Sequence, residues 1–294
     1  MFSQALSIWG RAAYVMIDGY SVANHTLPLT IAETQRQPFK PITDGPIFKQ
    51  WNAFAALHAK ERPVQLVHGT FSMTSISLGN FFYKKSPKVV AVDIGLEYLD
   101  PKAARWFCKR EFAHIDHNDS LKKFVPLLIS SIAASVFCKA WYSPLLIGSA
   151  VHCIAEKTIG AKLERIADDA GTKSATRREL EGAVRFFTAS IQADRELYLA
   201  HPFVENAVQC SMKLLDPHSC DHKRLAKIET ALKSRFHYTD SMLSEVKKSD
   251  RVNNLRKYLV FRATTPINDP KYASLIKQLN AEALRREDTE ENIK

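Results

Sequence analysis

The chain has 294 residues, of which 46% are hydrophobic and 24% charged, and this composition suits a globular protein with a sizeable core. Lys and Arg number 41 against 31 Asp and Glu, so the formal net charge is +10. This surplus suits an anionic membrane surface or an acidic partner, whereas the lack of interleaved basic and aromatic runs argues against nucleic-acid binding. The five cysteines form no CxxC pair, which argues against a disulfide framework or a cysteine zinc site and favours reduced thiols.

Along the chain, the residue pattern changes twice. The first 60 residues mix short amphipathic stretches with a proline-rich connector and show no secretory signal. Residues 63–94 are rich in β-branched and aromatic side chains and predict two or three strands. A helical pattern begins at Asp100-Pro101, where a capping side chain precedes a proline at the first helical position, and it continues almost to the end. The predicted fold class is therefore α+β and mostly helical, with a small β-sheet.

Two apolar runs lie between Phe124 and Ala155, separated by Lys139. Each is about 15 residues long, which is short of the ~20 residues that a helix needs to span a bilayer. Pro126 and Pro144 also count against two regular spanning helices. We therefore predict two buried or interfacial helices, and a membrane hairpin or a tilted span is the alternative.

One helical segment carries titratable side chains in a pattern typical of metal sites. In a HExxH helix, two histidines one turn apart bind a zinc ion and the glutamate acts on the zinc-bound water. Here Glu111 and His114 match the glutamate and the second histidine, but Arg110 stands at the first histidine. Taken alone, this spacing also fits a chance surface pair, with His114 and His117 as ordinary core and surface histidines.

Three motifs, in order along the chain, resemble one family of peptidases. The stretch KVVAVDIGLEYLDPKAARWFCKREFAHIDHND resembles the HtpX-like and CAAX prenyl protease type 1-like zinc metallopeptidases, in which an edge strand leads through a Gly-Leu turn into the metal helix. Further on, Glu164 to Asp168 resemble the family's ExxAD helix, whose glutamate is the third zinc ligand. His201-Pro202 resembles the family's His-Pro segment less closely. The resemblance covers about residues 63–215.

This resemblance implies a gluzincin-type arrangement, with a small β-sheet over an active-site helix and other helices around it. Val89 to Leu96 would end the edge strand, and residues 100–119 would form the metal helix. The implied organisation is an N-terminal extension over residues 1–60, a metallopeptidase-like domain over 61–215 and a helical C-terminal region over 216–294.

The resemblance also implies a role for each matching residue. Glu111 would be the general base, and His114 and Glu164 would be zinc ligands. His201 would contact the substrate or the transition state, and Asp168 would hold a ligand in orientation. The implied cofactor is one zinc ion, and the implied substrate or binding partner is a polypeptide.

Arg110 stands at a position where the family has a histidine that binds zinc. A guanidinium stays protonated and has no free lone pair, so it cannot bind zinc. His114 and Glu164 alone are one ligand short of the usual catalytic site, and His117 or Asp168 would have to replace the missing one. We therefore expect zinc binding to be weakened or lost.

Arg110 could instead take the place of the metal, with its fixed charge paired to Glu164 or Glu111. We predict a metallopeptidase-like protein whose degenerate RExxH…ExxAD site is impaired or inactive in proteolysis. Two alternatives stay open: a membrane-associated zinc endopeptidase with a rearranged metal site, and a scaffold that binds a peptide or protein. The predicted localisation is cytoplasmic, with contact to a membrane surface as an open alternative.

Overall fold

The structure, a computed structural model, describes residues 40–41, 64–69, 75–78, 88–117, 156–200 and 220–265, together with single helical positions between 56 and 278. Helix dominates these residues, so the prediction of a mostly helical chain is confirmed for them. The predicted N-terminal extension falls almost entirely outside the described residues, as does most of the apolar region 124–155. Among the described residues, no helix combines the length and the apolar character needed to cross a membrane.

Four described strands pair with one another. They are β1 (Lys40–Pro41), β2 (Val64–Gly69), β3 (Ser75–Leu78) and β4 (Lys88–Asp93). Strand β4 is central, because it pairs in parallel with β2 and in antiparallel with β3, while β1 pairs with the far side of β2. The strand that leads into the helices is therefore not the edge strand that the resemblance implies, and β1 and β3 are the edges of the sheet that the described strands form.

Strand β4 ends at Asp93 and not at Leu96 as predicted. Asp93 is fully buried, and its carboxylate accepts hydrogen bonds from the N–H groups of Gly95 at 2.7 Å and Leu96 at 3.1 Å. These bonds start the short helix α1 (Ile94–Leu99) because they satisfy its first free N–H groups. Only glycine fits at position 95, since a Cβ there would lie 2.1 Å from Cζ of Tyr258.

Helix α2 (Pro101–Asp116) begins where the sequence predicts it. Asp100 caps it by accepting a hydrogen bond from the N–H of Ala103 at 3.2 Å, and the proline at the first position lacks only an N–H that would have no partner inside the helix. His117 caps the C-terminal end, whereas the predicted helix ran to residue 119.

After a π-helical turn at Glu156–Gly160, the described helices are α3 (Ala161–Ser174), α4 (Arg177–Ala200), α5 (Asp221–Phe236), α6 (Asp240–Lys248) and α7 (Asp250–Thr264). Helix α4 packs against α2, α5, α6 and α7. The backbones of α4 and α2 touch at Gly182, where a Cβ would lie 2.4 Å from the backbone nitrogen of Ala103. Helix α2 also lies against β3 and β4, so it contacts both the strands and the central helix.

The hydrophobic core is built on an aromatic group where α2 meets α4. Trp106 and Phe107 contact Phe186 and Phe187, with ring centroids 4.8–5.9 Å apart. Helices α5 to α7 contribute buried side chains to the same core, although the resemblance does not cover them. The division of the chain at residue 215 stays a prediction.

Candidate functional site

Helices α2 and α3 bring five of the predicted site residues together. Helix α2 supplies Arg110, Glu111 and His114, and α3 supplies Glu164 and Asp168. The two helices approach closely at Gly171 of α3, where a Cβ would lie 3.3 Å from the backbone nitrogen of Arg110. A larger residue would push the helices apart, so this glycine helps to set the spacing of the site.

Arg110 is the centre of this group. Its Nη1 donates to Oε1 of Glu111 at 2.5 Å, its Nε donates to Oδ1 of Asp168 at 2.9 Å, and its Nη2 donates to Oε2 of Glu164. Each of the three guanidinium nitrogens therefore bonds to a different carboxylate. The predicted contacts of Arg110 with Glu111 and Glu164 are both formed, and the contact with Asp168 is additional.

The group is almost fully shielded from solvent. Arg110 is 5% exposed, Glu111 is 3% exposed, and Glu164 and Asp168 are each 6% exposed. Charged groups of this kind are tolerated in the interior only when they are paired and hydrogen-bonded. The arrangement is therefore a buried ion network. We give the name Arg110 cluster to a set of six residues: Arg110, Glu111, His114, Glu164, Asp168 and Arg224 of α5.

Arg224 of α5 is the member of the cluster that the sequence did not indicate. Its Nε and Nη2 donate to the two carboxylate oxygens of Asp168 at 3.0 and 2.9 Å, and its guanidinium lies 4.6 Å from the ring centroid of Phe187. Asp168 is thus held from both sides, by Arg110 and by Arg224. No local pattern distinguishes Arg224 from the other basic residues of the chain, and 56 positions separate it from Asp168.

The predicted histidines have different positions. Nε2 of His114 lies 3.3 Å from Oε2 of Glu164, so His114 borders the cluster. His117 is at the end of α2 and, among the described residues, forms no ion pair with Glu164 or Asp168. His201 lies outside the described residues.

The electrostatics keep Arg110 charged. Burial alone lowers the pKa of its guanidinium, but attraction to Glu111, Glu164 and Asp168 outweighs burial and raises the pKa above its ordinary value. The Arg110 cluster joins the carboxyl groups of Glu111, Glu164 and Asp168 to the guanidinium groups of Arg110 and Arg224, and His114 lies 3.3 Å from Glu164.

These residues do not fit a catalytic zinc ion as they stand. A protonated guanidinium offers no lone pair, and its three nitrogens occupy the carboxylate oxygens that would face a metal. Within the described residues, no three His, Cys, Asp or Glu side chains are grouped so that they could hold a metal ion. His114 and Glu164 alone remain from the expected ligand set, and a catalytic zinc site needs three.

No protein-family model matches the chain. No curated protein and no solved structure is significantly similar to it either. The resemblance to HtpX-like peptidases therefore depends on the three motifs, and it stays a proposal.

The Arg110 cluster, in this geometry, lacks two features that peptide hydrolysis needs. A general base must reach a water molecule or a substrate atom at hydrogen-bond distance, whereas Glu111 is buried and bonded to Arg110. An electrophile must polarise the scissile carbonyl group, whereas all three nitrogens of Arg110 are occupied by carboxylates.

Proposed function

We propose that this chain is a metallopeptidase-like protein that does not hydrolyse peptide bonds and instead binds a polypeptide partner. The observation that carries the proposal is the set of three hydrogen bonds from Arg110 to Glu111, Glu164 and Asp168. In the family that the motifs resemble, a zinc ion neutralises the matching carboxylates. Here the fixed charge of Arg110 neutralises them in part, so the gluzincin-type fold can persist without a metal.

The polypeptide partner is supported by the arrangement of the strands. Among the described strands, β3 (Ser75–Leu78) pairs only with β4, and helix α2 lies against both of them. An edge strand offers backbone N–H and C=O groups to which an extended peptide can add as a further strand. Strand addition of this kind needs no metal, so it is compatible with a site closed by Arg110.

One observation favours the second candidate, a zinc endopeptidase with a rearranged site. Nδ1 of His117 is buried and has no hydrogen-bond partner among the described residues, and His117 lies one helical turn beyond His114. It could serve as the replacement ligand if Arg110 left the carboxylates. The ion pairs of Arg110 oppose that movement, so we rank this candidate second.

The test is the zinc content of the purified full chain, measured by inductively coupled plasma mass spectrometry, for the wild type and for Arg110→His. The substitution restores the HExxH string. Asp168 keeps its two hydrogen bonds to Arg224, so it does not lose its partner. We expect almost no zinc in the wild type and about one zinc ion per chain in Arg110→His.

Two matched variants make this comparison decisive. Arg110→Lys keeps a positive charge at the same position and should remain without zinc, because a paired ammonium group is no ligand. Adding Glu164→Ala to Arg110→His should remove the zinc again. About one zinc ion in the wild type, lost on Glu164→Ala, would instead establish the rearranged site; peptidase assays with Glu111→Gln as the inactive control would then follow.

A further inference from the structure

Helices α3 and α5 lie side by side at the surface of the protein. Arg235 of α5 donates hydrogen bonds to the backbone carbonyl oxygens of Thr172 at 2.6 Å and Ala175 at 2.9 Å, at the end of α3. Nearer the start of α5, Lys227 forms an ion pair with Asp169 of α3. Because Lys227 and Asp169 are themselves exposed, the exposed sides of the two helices form one continuous surface.

The charges on this surface are nearly all positive. The exposed charged residues of α3 and α5 are seven basic and one acidic: Lys162, Arg165, Lys173, Lys223, Lys227, Lys233 and Arg235 against Asp169. Two further acidic residues of α5, Asp221 and Glu229, are half-buried and pair with Arg224 and Lys247. A surface with this excess of basic groups attracts an acidic partner.

The basic residues nearest the junction of the two helices stand in two rows. On α3, Arg165 and Lys173 lie one turn before and one turn after Asp169. On α5, Lys223 lies one turn before Lys227. Because Lys227 contacts Asp169, the two rows are neighbours and their charges act together on anything bound between them.

Ile166 gives this surface an apolar contact. Eight large hydrophobic residues are exposed in the described part of the chain, and of these only Ile166 lies on α3 or α5. It lies one turn after Lys162 and two turns before Lys173, so the three share one side of α3. We give the name basic face to a set of six residues: Lys162, Arg165, Ile166, Lys173, Lys223 and Lys227.

Contacts inside the protein compensate little of the charge of the basic face. Lys162, Lys173 and Lys223 form neither an ion pair nor a hydrogen bond with any residue that the structure describes, and Nε of Arg165 bonds only to a carbonyl oxygen of its own helix, at 3.1 Å. Like charges one helical turn apart repel each other and destabilise a helix. The fold therefore gains nothing from grouping these side chains, whereas a partner of opposite charge would relieve the repulsion.

The composition of the basic face favours a polypeptide over a nucleic acid. Helices α3 and α5, which the structure describes in full, expose no Phe, Tyr or Trp, and proteins that bind single strands stack bases on such side chains. The carboxylate of Asp169, between the two rows, would repel a phosphate backbone. A polypeptide can instead donate a backbone N–H to Asp169 and place an apolar side chain on Ile166.

We propose that the basic face binds an acidic polypeptide segment that carries an apolar side chain, with its carboxylates on Lys173 and Lys223 and the apolar side chain on Ile166. From Lys162 to Lys173, helix α3 rises about 16 Å, a length that a helical segment of about ten residues covers. Zinc content and strand addition at β3 have no part in this proposal, so it stands or falls independently of the proposed function.

The experiment is fluorescence anisotropy of a labelled synthetic peptide, about ten residues long and composed of Glu and Leu, titrated with the purified full chain. We expect saturable binding at low salt that weakens as the salt concentration rises. A second peptide with Ser in place of Leu should bind at least about threefold more weakly, and a third with Lys in place of Glu should not bind.

A charge variant tests the two rows. Lys173→Glu with Lys223→Glu should weaken binding of the Glu and Leu peptide by about tenfold or more. The matched control is Arg251→Glu with Lys257→Glu, which changes the net charge equally at two exposed positions of α7, a helix that packs against α4 and α1. We expect this control to bind within about twofold of the wild type.

An apolar variant tests Ile166. Ile166→Ser should weaken binding by about threefold or more and should remove the preference for the Leu peptide over the Ser peptide. Leu199→Ser is the matched control, because Leu199 is exposed at the end of α4, outside the basic face. Circular dichroism and thermal unfolding check the folding of each variant, and Lys173→Gln with Lys223→Gln is the second charge variant if the glutamate variant unfolds.

Several outcomes would overturn the proposal. The first is no saturable binding of the Glu and Leu peptide by the wild type below about 1 mM at low salt. The second is an equal loss of binding in the Lys173, Lys223 variant and in its control on α7. Tighter binding of a single-stranded oligonucleotide, lost in the same variant, would assign the basic face to nucleic acid. A wild-type dimer that becomes monomeric in this variant would assign it to a second copy of the chain.

Discussion

Carboxylates are buried beside guanidinium groups at the starts of α1 and α2 and also in the Arg110 cluster. The number of carboxyl groups per guanidinium group differs between the two helix starts and the cluster. At the start of α1, Asp93 accepts hydrogen bonds from two backbone N–H groups and from the hydroxyl of Tyr258 at 2.6 Å, and it forms an ion pair with Arg262. At the start of α2, Asp100 caps the helix and forms two hydrogen bonds with Arg185, at 2.5 and 3.1 Å. Each of these carboxylates has one guanidinium partner.

The Arg110 cluster has three carboxylates for two guanidiniums. Matched pairs are what a fold needs when it caps a helix in its interior, because each charge has its partner and its hydrogen bonds. The Arg110 cluster differs because one side chain, Arg110, bonds to three carboxyl groups at once.

The largest expected effect comes from removing the central cation. Arg110→Ala removes a guanidinium that bonds to the buried carboxyl groups of Glu111 and Glu164, while Asp168 retains Arg224. We expect the free energy of unfolding to fall by about 3–5 kcal/mol, because an uncompensated buried charge is strongly destabilising. Urea denaturation at neutral pH measures this change.

The control for this variant is Arg165→Ala, an arginine exposed on α3, which should change stability by about 0.5 kcal/mol or less. Adding Glu164→Gln to Arg110→Ala should recover part of the lost stability, since a buried carboxyl group that lost Arg110 is then replaced by a neutral amide. If Arg110→Ala unfolds at the same urea concentration as the wild type, Arg110 does not neutralise the cluster.

The start of α2 and two contacts of Arg110 could be predicted from the sequence, because they depend on local chemistry. Asp100-Pro101 indicates a helix start because the cap and the proline act within one turn. The contact of Arg110 with Glu111 and Glu164 follows from the motif spacing and from the inability of a guanidinium to bind zinc. In these cases the deciding residues are neighbours, or they belong to a known pattern.

The rest could not be predicted, because it depends on helices that are distant in sequence. Arg224 is 56 positions from Asp168, and Arg262 is 169 positions from Asp93. Nothing local separates these two from the remainder of the 41 Lys and Arg residues. The resemblance implies a strand end at Leu96, whereas the strand ends at Asp93 because the Asp93 carboxylate bonds to the N–H groups of Gly95 and Leu96.

Glu97 is a buried carboxyl group of a third kind, and the dependence of protein stability on pH shows how it differs from the carboxyl groups paired with arginine. Burial raises the pKa of Glu97 from 4.5 to about 7, against the opposing attraction of Arg105, and Oε2 of Glu97 has no hydrogen-bond partner among the described residues. Between these two pKa values the folded protein keeps a proton that the unfolded chain releases. Stability therefore falls as the pH rises through this window, and the loss is complete above about pH 7.

Glu97→Gln removes this titration. Relative to the variant, the wild type should lose about 3 kcal/mol of unfolding free energy between about pH 4 and about pH 8. Denaturant unfolding of both proteins across that range measures the difference, and Glu196→Gln, a substitution in an exposed pair with Arg256, serves as the control. A constant difference between wild type and Glu97→Gln would show that Glu97 titrates normally.

Removing the charge of Asp100, which pairs with Arg185 at the start of α2, should lower the free energy of unfolding by a smaller amount than the changes above. In Asp100→Asn the cap is retained, because asparagine caps as well as aspartate, but Arg185 loses its charged partner. We expect the free energy of unfolding to fall by about 2 kcal/mol, a value typical of a hydrogen bond to a charged group. Asp100→Ala should cost about 1 kcal/mol more through loss of the cap, as measured by urea denaturation of the two variants side by side.

The smallest expected effect comes from the same kind of change inside the Arg110 cluster. Glu164→Gln removes one of the three carboxyl groups that bond to Arg110, and the new amide oxygen can still accept a hydrogen bond from Nη2 of Arg110. We therefore expect a cost of about 1 kcal/mol or less, clearly below that of Asp100→Asn. Equal costs for the two substitutions, measured under identical conditions, would mean that Arg110 depends on the charge of Glu164 as strongly as Arg185 depends on that of Asp100, although Glu111 and Asp168 still bond to Arg110.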